Sequence, residues 1–171
     1  RDRMTRLANH CAVVTGAGAG IGKAIAIRLA QEGAWIVVND LYLNRAEATV
    51  AHIIKAGGTA LAIAGDVSDP VDVDRAYDLG EAAWGRITLS VNNAGIVNQS
   101  LLAEMELADF DRMIAVHLRG CFICCRRAIG SMVEAGSGCI INIASQLGQV
   151  GGVELSHYAA AKAGIIGLTK S

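Results

Sequence analysis

Tyr158 and Lys162 stand four residues apart in a stretch that reads as helical from Tyr158 onward, so both project from one face, about one turn apart. A phenol ordinarily titrates near 10. A neighbouring ammonium favours the phenolate and fits tyrosine for acid–base work closer to neutrality. Ser145 lies thirteen residues before Tyr158, at the end of an apolar run, where its hydroxyl can donate to a substrate oxygen. Far upstream, Thr15-Gly16-Ala17-Gly18-Ala19-Gly20-Ile21-Gly22 joins an apolar run to a helical pattern. Glycines there permit a tight turn and close backbone approach to a pyrophosphate, and the following helix start supplies free N–H groups. Gly16, Gly20, Ile21 and Gly22 are the candidate cradle. Asp40, eighteen residues after Gly22, is placed to accept from adenosine ribose hydroxyls and to repel a 2′-phosphate. Ala17, Gly18 and Ala19 carry no charge and Leu41 follows Asp40, so NAD is expected over NADP.

These residues need elements to hold them. Cys11–Thr15, Trp35–Asn39, Thr59–Ala64, Ile87–Val91 and Cys139–Ala144 are short, continuously apolar runs that read as buried strands. Between them lie helical patterns over 23–32, 43–56, 70–84 and 107–135. Gly33 and Gly57-Gly58 supply helix stops, and Asp69-Pro70 supplies a cap and first turn. The alternation predicts an α/β fold, a doubly wound, Rossmann-like parallel sheet covered on both faces. Residues 1–171 read as a single dinucleotide-binding domain. The pattern breaks off after the fifth strand and the helix that follows, so the polypeptide is expected to continue.

Taken in order, TGAGAGIG at 15–22, Asp40, Asp66-Val67, NNAG at 92–95, Ser145 and YAAAK at 158–162 resemble the short-chain dehydrogenase/reductase family. The resemblance runs along almost the whole chain. It implies an NAD(P)-dependent oxidoreductase that interconverts a secondary alcohol and a ketone. Tyr158 would be the acid/base, Lys162 would bind the nicotinamide ribose and assist Tyr158, and Ser145 would hold the substrate oxygen. Asp66 and Val67 would meet the adenine, Asn92 the adjoining ribose, and Asn93 would brace the sheet. His117 stands where the family usually has an asparagine whose backbone carbonyl holds a water linked to the lysine, which makes His117 a candidate for the same relay. Thr88 and Ser90 also depart from the usual Asp and aliphatic residue of that strand. Two other readings share these motifs: an NADPH-linked oxoacyl-carrier-protein reductase, and a truncated, non-catalytic NAD-binding module. By analogy with the family, a homodimer or homotetramer is expected through helices 107–135 and 158–171.

Composition narrows the partners. Hydrophobic residues make up 53% and charged residues 18% of the 171, which supplies a core and excludes disorder. Fifteen Lys+Arg against sixteen Asp+Glu give a net charge of −1, no footprint for nucleic acid or an anionic membrane. No apolar run follows Arg1, Arg3 and Arg6, so no signal peptide is expected, and no segment reads as a membrane span. Five irregularly spaced cysteines suit a reducing compartment, with cytoplasm as the expectation. Cys121, Cys124 and Cys125 read as small core residues rather than a metal half-site. Arg126 and Arg127 read as a solvated face, His157 as a possible substrate contact, and Gln146, Leu147, Val153, Glu154 and Leu155 as pocket lining around a partly apolar alcohol or ketone.

Overall fold

The computed structural model describes residues 5–171; Arg1 and Arg3 of the N-terminal basic cluster lie outside the described residues. Five parallel strands form one sheet: β1 (Cys11–Val14), β2 (Trp35–Asp40), β3 (Thr59–Ala64), β4 (Leu89–Asn92) and β5 (Cys139–Asn142). Their spatial order is β3-β2-β1-β4-β5. The chain winds outward from β1 to one edge, then crosses back to β4, which creates a crevice above the carboxyl ends of β1 and β4.

Side-chain alternation along the strands builds two cores. Ala12, Val14, Ile36 and Val38 point to one face, where α1 (Gly20–Gln31) and α2 (Leu43–Lys55) add Ala26, Ala30, Ala46 and Ile53. Cys11, Val13 and Val37 point to the other face. There α3 (Pro70–Trp84) contributes Val73 and Tyr77, and α5 (Gly120–Glu134) contributes Cys124 and Ala128. Small residues in these helices let them lie close to the sheet. The expected start of α3 is present: Asp69 accepts from Val71 N at 2.9 Å, with Pro70 in the first turn. Gly33 follows α1 at φ 97°, a conformation that favours glycine.

Three local differences matter for the site. The helix expected over 107–135 is instead α4 (Leu107–Ile114), a π-helical turn at Ala115–Arg119, and α5. The extra residue in that turn brings Val116 and His117 inward together, at 5% and 4% exposure. β5 ends at Asn142 rather than Ala144, which frees Ile143, Ala144 and Ser145 to line the crevice. A one-turn helix, α6 (Leu147–Val150), which the apolar pattern did not suggest, precedes α7 (Ser156–Lys170). Among the described residues no helix is long and apolar enough to cross a membrane.

Candidate active site

The glycine loop is tied to β4 before it can cradle anything. Thr15 Oγ1 accepts from the backbone N–H groups of Asn93 and Ala94, both at 3.1 Å. Asn93 Nδ2 donates back to Thr15 O at 3.0 Å and Gly16 O at 3.3 Å. Gly16 and Gly20 take φ of 62° and 54°. A side chain at Gly22 would place its Cβ 2.3 Å from Gly16 O, so the close fold of the loop onto α1 requires glycine there. Ile21 stands at the rim, 67% exposed. A concave backbone without side chains, opening at a helix N-terminus, fits the pyrophosphate of a dinucleotide.

Asp40 closes one end of the groove. Its Oδ2 accepts from Gly18 N at 2.9 Å and its Oδ1 from Tyr42 N at 3.1 Å, so the carboxylate is aimed by both the loop and the start of α2. Lone pairs remain on both oxygens for a ribose diol. The uncharged surroundings expected of Asp40 need correction, because Arg45 also lines this end and stacks over Tyr42, its guanidinium 4.6 Å from the ring centroid. Arg45 sits in the first turn of α2, beyond the loop residues where sequence reasoning looked for a cation.

At the other end, Ser145, Tyr158, Lys162 and His117 meet in the same groove, whose volume is about 790 Å³. Lys162 is 4% exposed, and its Nζ donates to Ile143 O at 2.6 Å and lies 5.7 Å from the Tyr158 ring centroid. Burial pushes the Lys162 ammonium below its ordinary range, with Cys121 pulling weakly the other way. Ser145 Oγ accepts from Leu147 N at 3.2 Å, which leaves its proton for another acceptor. His117 packs edge-on against Tyr158, ring centroids 5.2 Å apart. Its Nε2 lies 2.7 Å from Ile96 O and 3.0 Å from Ile96 N, while Nδ1 has no protein partner. Burial lowers the pKa of His117, opposed by the Ile96 bond and assisted by Lys162 and His157. A small cavity behind the groove is bounded by His117, Lys162, Asn92, Cys121 and Ile143.

Several expected contacts lie elsewhere. Asn92 does not line the groove: its side chain, in a residue 6% exposed, donates to Asn142 Oδ1 at 2.8 Å and accepts from Ser90 Oγ at 3.1 Å. Asn92 therefore braces β4 against β5. Asn93 lines the groove and braces the glycine loop rather than the sheet alone. The reason is strand alternation, which sends Asn92 into the core and Asn93 to the crevice. Asp66 and Val67 do line the groove. Burial raises the Asp66 carboxyl, but bonds from Ser68 and Arg112 outweigh it and hold the pKa below the usual value. Arg112, 2.9 Å from Asp66, is a groove residue that sequence reasoning missed. His157 is fully buried against Asn98 and does not reach the groove. Gln146, Leu147, Val153, Glu154 and Leu155 also fall outside it, with Val153 83% exposed. Arg127 is not solvated but ties α5 to α3 through Asp78 at 2.8 Å and Glu81 at 2.6 Å.

Comparison with known proteins agrees with this geometry. Residues 10–171 match the family model described as short chain dehydrogenase. A 3-oxoacyl-acyl-carrier-protein reductase from Synechocystis sp. is 42% identical over 169 residues, covering 98% of this chain and 68% of its own length. A cyclohexanol dehydrogenase from Acinetobacter sp. is 37% identical over 164 residues, covering 95% of this chain and 65% of the relative. The crystal structure of a short chain dehydrogenase from Mycobacterium avium superposes with a TM-score of 0.90 at 38% identity, over 96% of this chain and 62% of that one. The chain thus spans about two thirds of the length of the proteins it matches. On these matches the chain belongs to the short-chain dehydrogenase/reductase family.

Proposed function

We propose that this chain carries the cofactor site and catalytic centre of an NAD(H)-dependent oxidoreductase interconverting a secondary alcohol and a ketone. One observation carries the reading: Gly16, Gly20, Ile21, Gly22, Asp40, Asp66 and Val67 line the same groove as Ser145, Tyr158 and Lys162. One end suits a dinucleotide and the other a hydroxyl under acid–base control. The nicotinamide, when bound, supplies hydride transfer. Ser145 donates a hydrogen bond to the substrate oxygen and fixes it near Tyr158. Tyr158 takes the hydroxyl proton in oxidation and returns it in reduction. Lys162, buried and anchored on Ile143 O, presents its remaining N–H groups to the cofactor ribose and its charge to Tyr158. His117, packed edge-on against Tyr158 in the same groove, is the candidate to take part in relaying that proton.

A second reading has its own support. Arg45 beside Asp40 supplies a cation for a 2′-phosphate, and the Synechocystis relative is named as an oxoacyl-carrier-protein reductase. On that reading the cofactor is NADPH and the substrate a 3-oxoacyl thioester. Tyr158→Phe tests the chemistry: turnover falls by about a hundredfold to ten-thousandfold while NADH affinity stays within about twofold. Survival of turnover would remove Tyr158 from the mechanism, and NAD binding with no turnover by the parent protein would favour the binding module. Comparing NADH and NADPH affinity separates the two cofactor readings. We further infer assembly as a homodimer or homotetramer through α4, α5 and α7, since Leu107, Phe110, Phe122, Ile129 and Val133 leave an exposed apolar stripe on α4 and α5. The five cysteines are unpaired, which accords with a reducing cytoplasm.

A further inference from the structure

One buried titratable group has no part in the chemistry assigned above. His157 is fully buried, one residue before Tyr158 at the start of α7. Its Nε2 lies 3.0 Å from Asn98 Oδ1. An amide oxygen only accepts, so Nε2 carries the ring proton and Nδ1 is a lone pair without a protein partner.

Asn98 belongs to a segment held at every second residue. His117 Nε2 lies 2.7 Å from Ile96 O and 3.0 Å from Ile96 N, so either tautomer of that ring grips one end of residue 96. His157 holds Asn98, and Ser100 N donates to Glu154 O at 3.0 Å. Glu154, just ahead of α7, has φ at 62°, a left-handed conformation that residues with side chains adopt rarely. Burial follows the same period: residues 96, 98 and 100 are half-buried, while 95, 97 and 99 are exposed. This is the alternation of an extended chain pinned along one face. The residue turned outward between the two histidine contacts is Val97, 71% exposed and lining the groove with Ser145 and Tyr158. Both pins border Tyr158: His117 packs edge-on against its ring, and His157 precedes it in the helix. A side chain at Gly95 would place its Cβ 2.3 Å from His117 Cε1, so the segment meets that ring from its first residue.

We propose that His157 is a positioning residue: with His117 it pins residues 96–100 to the helix of Tyr158 and presents Val97 as an apolar wall at the substrate end, on the reading of that end as an alcohol or ketone site. Substrate size, rather than cofactor binding, is then the property that His157 controls. A small alcohol held by Ser145 and Tyr158 stops short of the wall, whereas a larger one packs against Val97 and depends on where the segment stands.

The test compares His157→Phe, which keeps a ring without the donor, with His157→Gln, whose amide nitrogen can donate to Asn98, in the complete protein. Amide hydrogen exchange is read first, without ligand. In His157→Phe the Ser100 amide should exchange about three- to tenfold faster while the amides of β2 stay within about twofold, and His157→Gln should return it toward the parent rate. NAD-linked oxidation of 2-propanol and cyclohexanol follows. In His157→Phe the KM for cyclohexanol should rise about three- to tenfold, with kcat, NADH affinity and the KM for 2-propanol within about twofold. Asn98→Ala removes the same bond from the other side, should reproduce both changes, and replaces His157→Phe where that variant does not fold. Unchanged Ser100 exchange in the folded variants, a Gln variant no closer to the parent than Phe, or equal KM shifts for both alcohols overturns the proposal. Failure of the parent protein to oxidise either alcohol would instead refute the reading of the reaction, and Ser100 exchange would still decide the role of His157.

Discussion

Gly18 separates the glycine loop from the start of α2, and replacing it with alanine tests the proposed role of Asp40 in cofactor choice. The new Cβ would lie 2.6 Å from Asp40 Oδ2 and 2.6 Å from Arg45 Cβ, about 0.8 Å inside ordinary contact on both sides. Arg45 Cβ is fixed to the backbone of α2 and cannot swing away. The methyl group therefore pushes the carboxylate off its bond to Gly18 N, and the aim of Asp40 at a ribose diol is lost. A hydrogen bond to a charged group contributes about 1.5–3 kcal/mol. At about 1.4 kcal/mol per tenfold, NADH affinity should fall roughly 10- to 150-fold. NADPH affinity should change far less, because a 2′-phosphate gains nothing from Asp40. The wedge also costs stability, about 1–3 kcal/mol for an overpacked contact, or roughly 2–12 °C in Tm at this size. Fluorescence titration with both cofactors, alongside a melting curve, reads all three quantities. Equal weakening of both cofactors, or an unchanged NADH affinity in a protein with lowered Tm, would refute the assignment of Asp40 as the ribose acceptor.

Two further perturbations probe the interior. His117 has a folded pKa held below the ordinary 6.5, so from 6.5 downward the unfolded chain takes up a proton that the folded one refuses, and stability is lost as pH falls. His117→Asn should flatten the fall in Tm between pH 7 and 5 relative to the parent; parallel curves would mean that His117 is not a buried neutral ring. Tyr77 is 1% exposed and its hydroxyl meets Ser90 Oγ at 2.6 Å and Cys124 O at 3.3 Å. Tyr77→Phe should cost about 1–2 kcal/mol, or roughly 2–8 °C in Tm, and an unchanged Tm would show that the network contributes nothing.

What could be read in advance follows the reach of each signal. Strand and helix alternation is local, and it placed β1, β2 and β3, with Asp69-Pro70 giving the start of α3 to the residue. The groove residues at or just past the end of a strand, Asp40, Asp66, Val67 and Ser145, were legible because the crevice of a parallel sheet lies at the strand ends. Arg45 and Arg112 were not. Each stands on a helix whose approach to the groove depends on how that helix packs, and no local spacing reports it. The roles expected of Asn92 and Asn93 are corrected for a related reason. Adjacent residues at a strand end face opposite ways, and the apolar run ends at Val91 while the strand extends through Asn92. The π turn at 115–119 had no signal in apolar spacing, since one inserted residue inside a continuous helical pattern leaves both halves amphipathic.

One of the departures from the family's usual residues, Ser90, joins a buried polar chain. Ser90, fully buried on β4, stands where an aliphatic residue is usual and gives Tyr77 a partner inside the core. From Ser90 the polar chain runs to Asn92, crosses to Asn142 on β5 and ends at Thr169 on α7. Asn142 immediately precedes Ile143, whose carbonyl anchors Lys162. An apolar residue at 90 would leave Asn92 Oδ1 without this donor, and burying an unsatisfied amide oxygen costs about 1–3 kcal/mol. Tyr77, Ser90, Asn92, Asn142 and Thr169 thus form one linked set, running from α3 through two strands to the helix that carries Tyr158. The set fixes the register of β5 beside Lys162, at a sheet position where the main-chain ladder pairs only four residues of each strand. Side-chain bonds across β4 and β5 supply there the positional restraint that so short a ladder lacks.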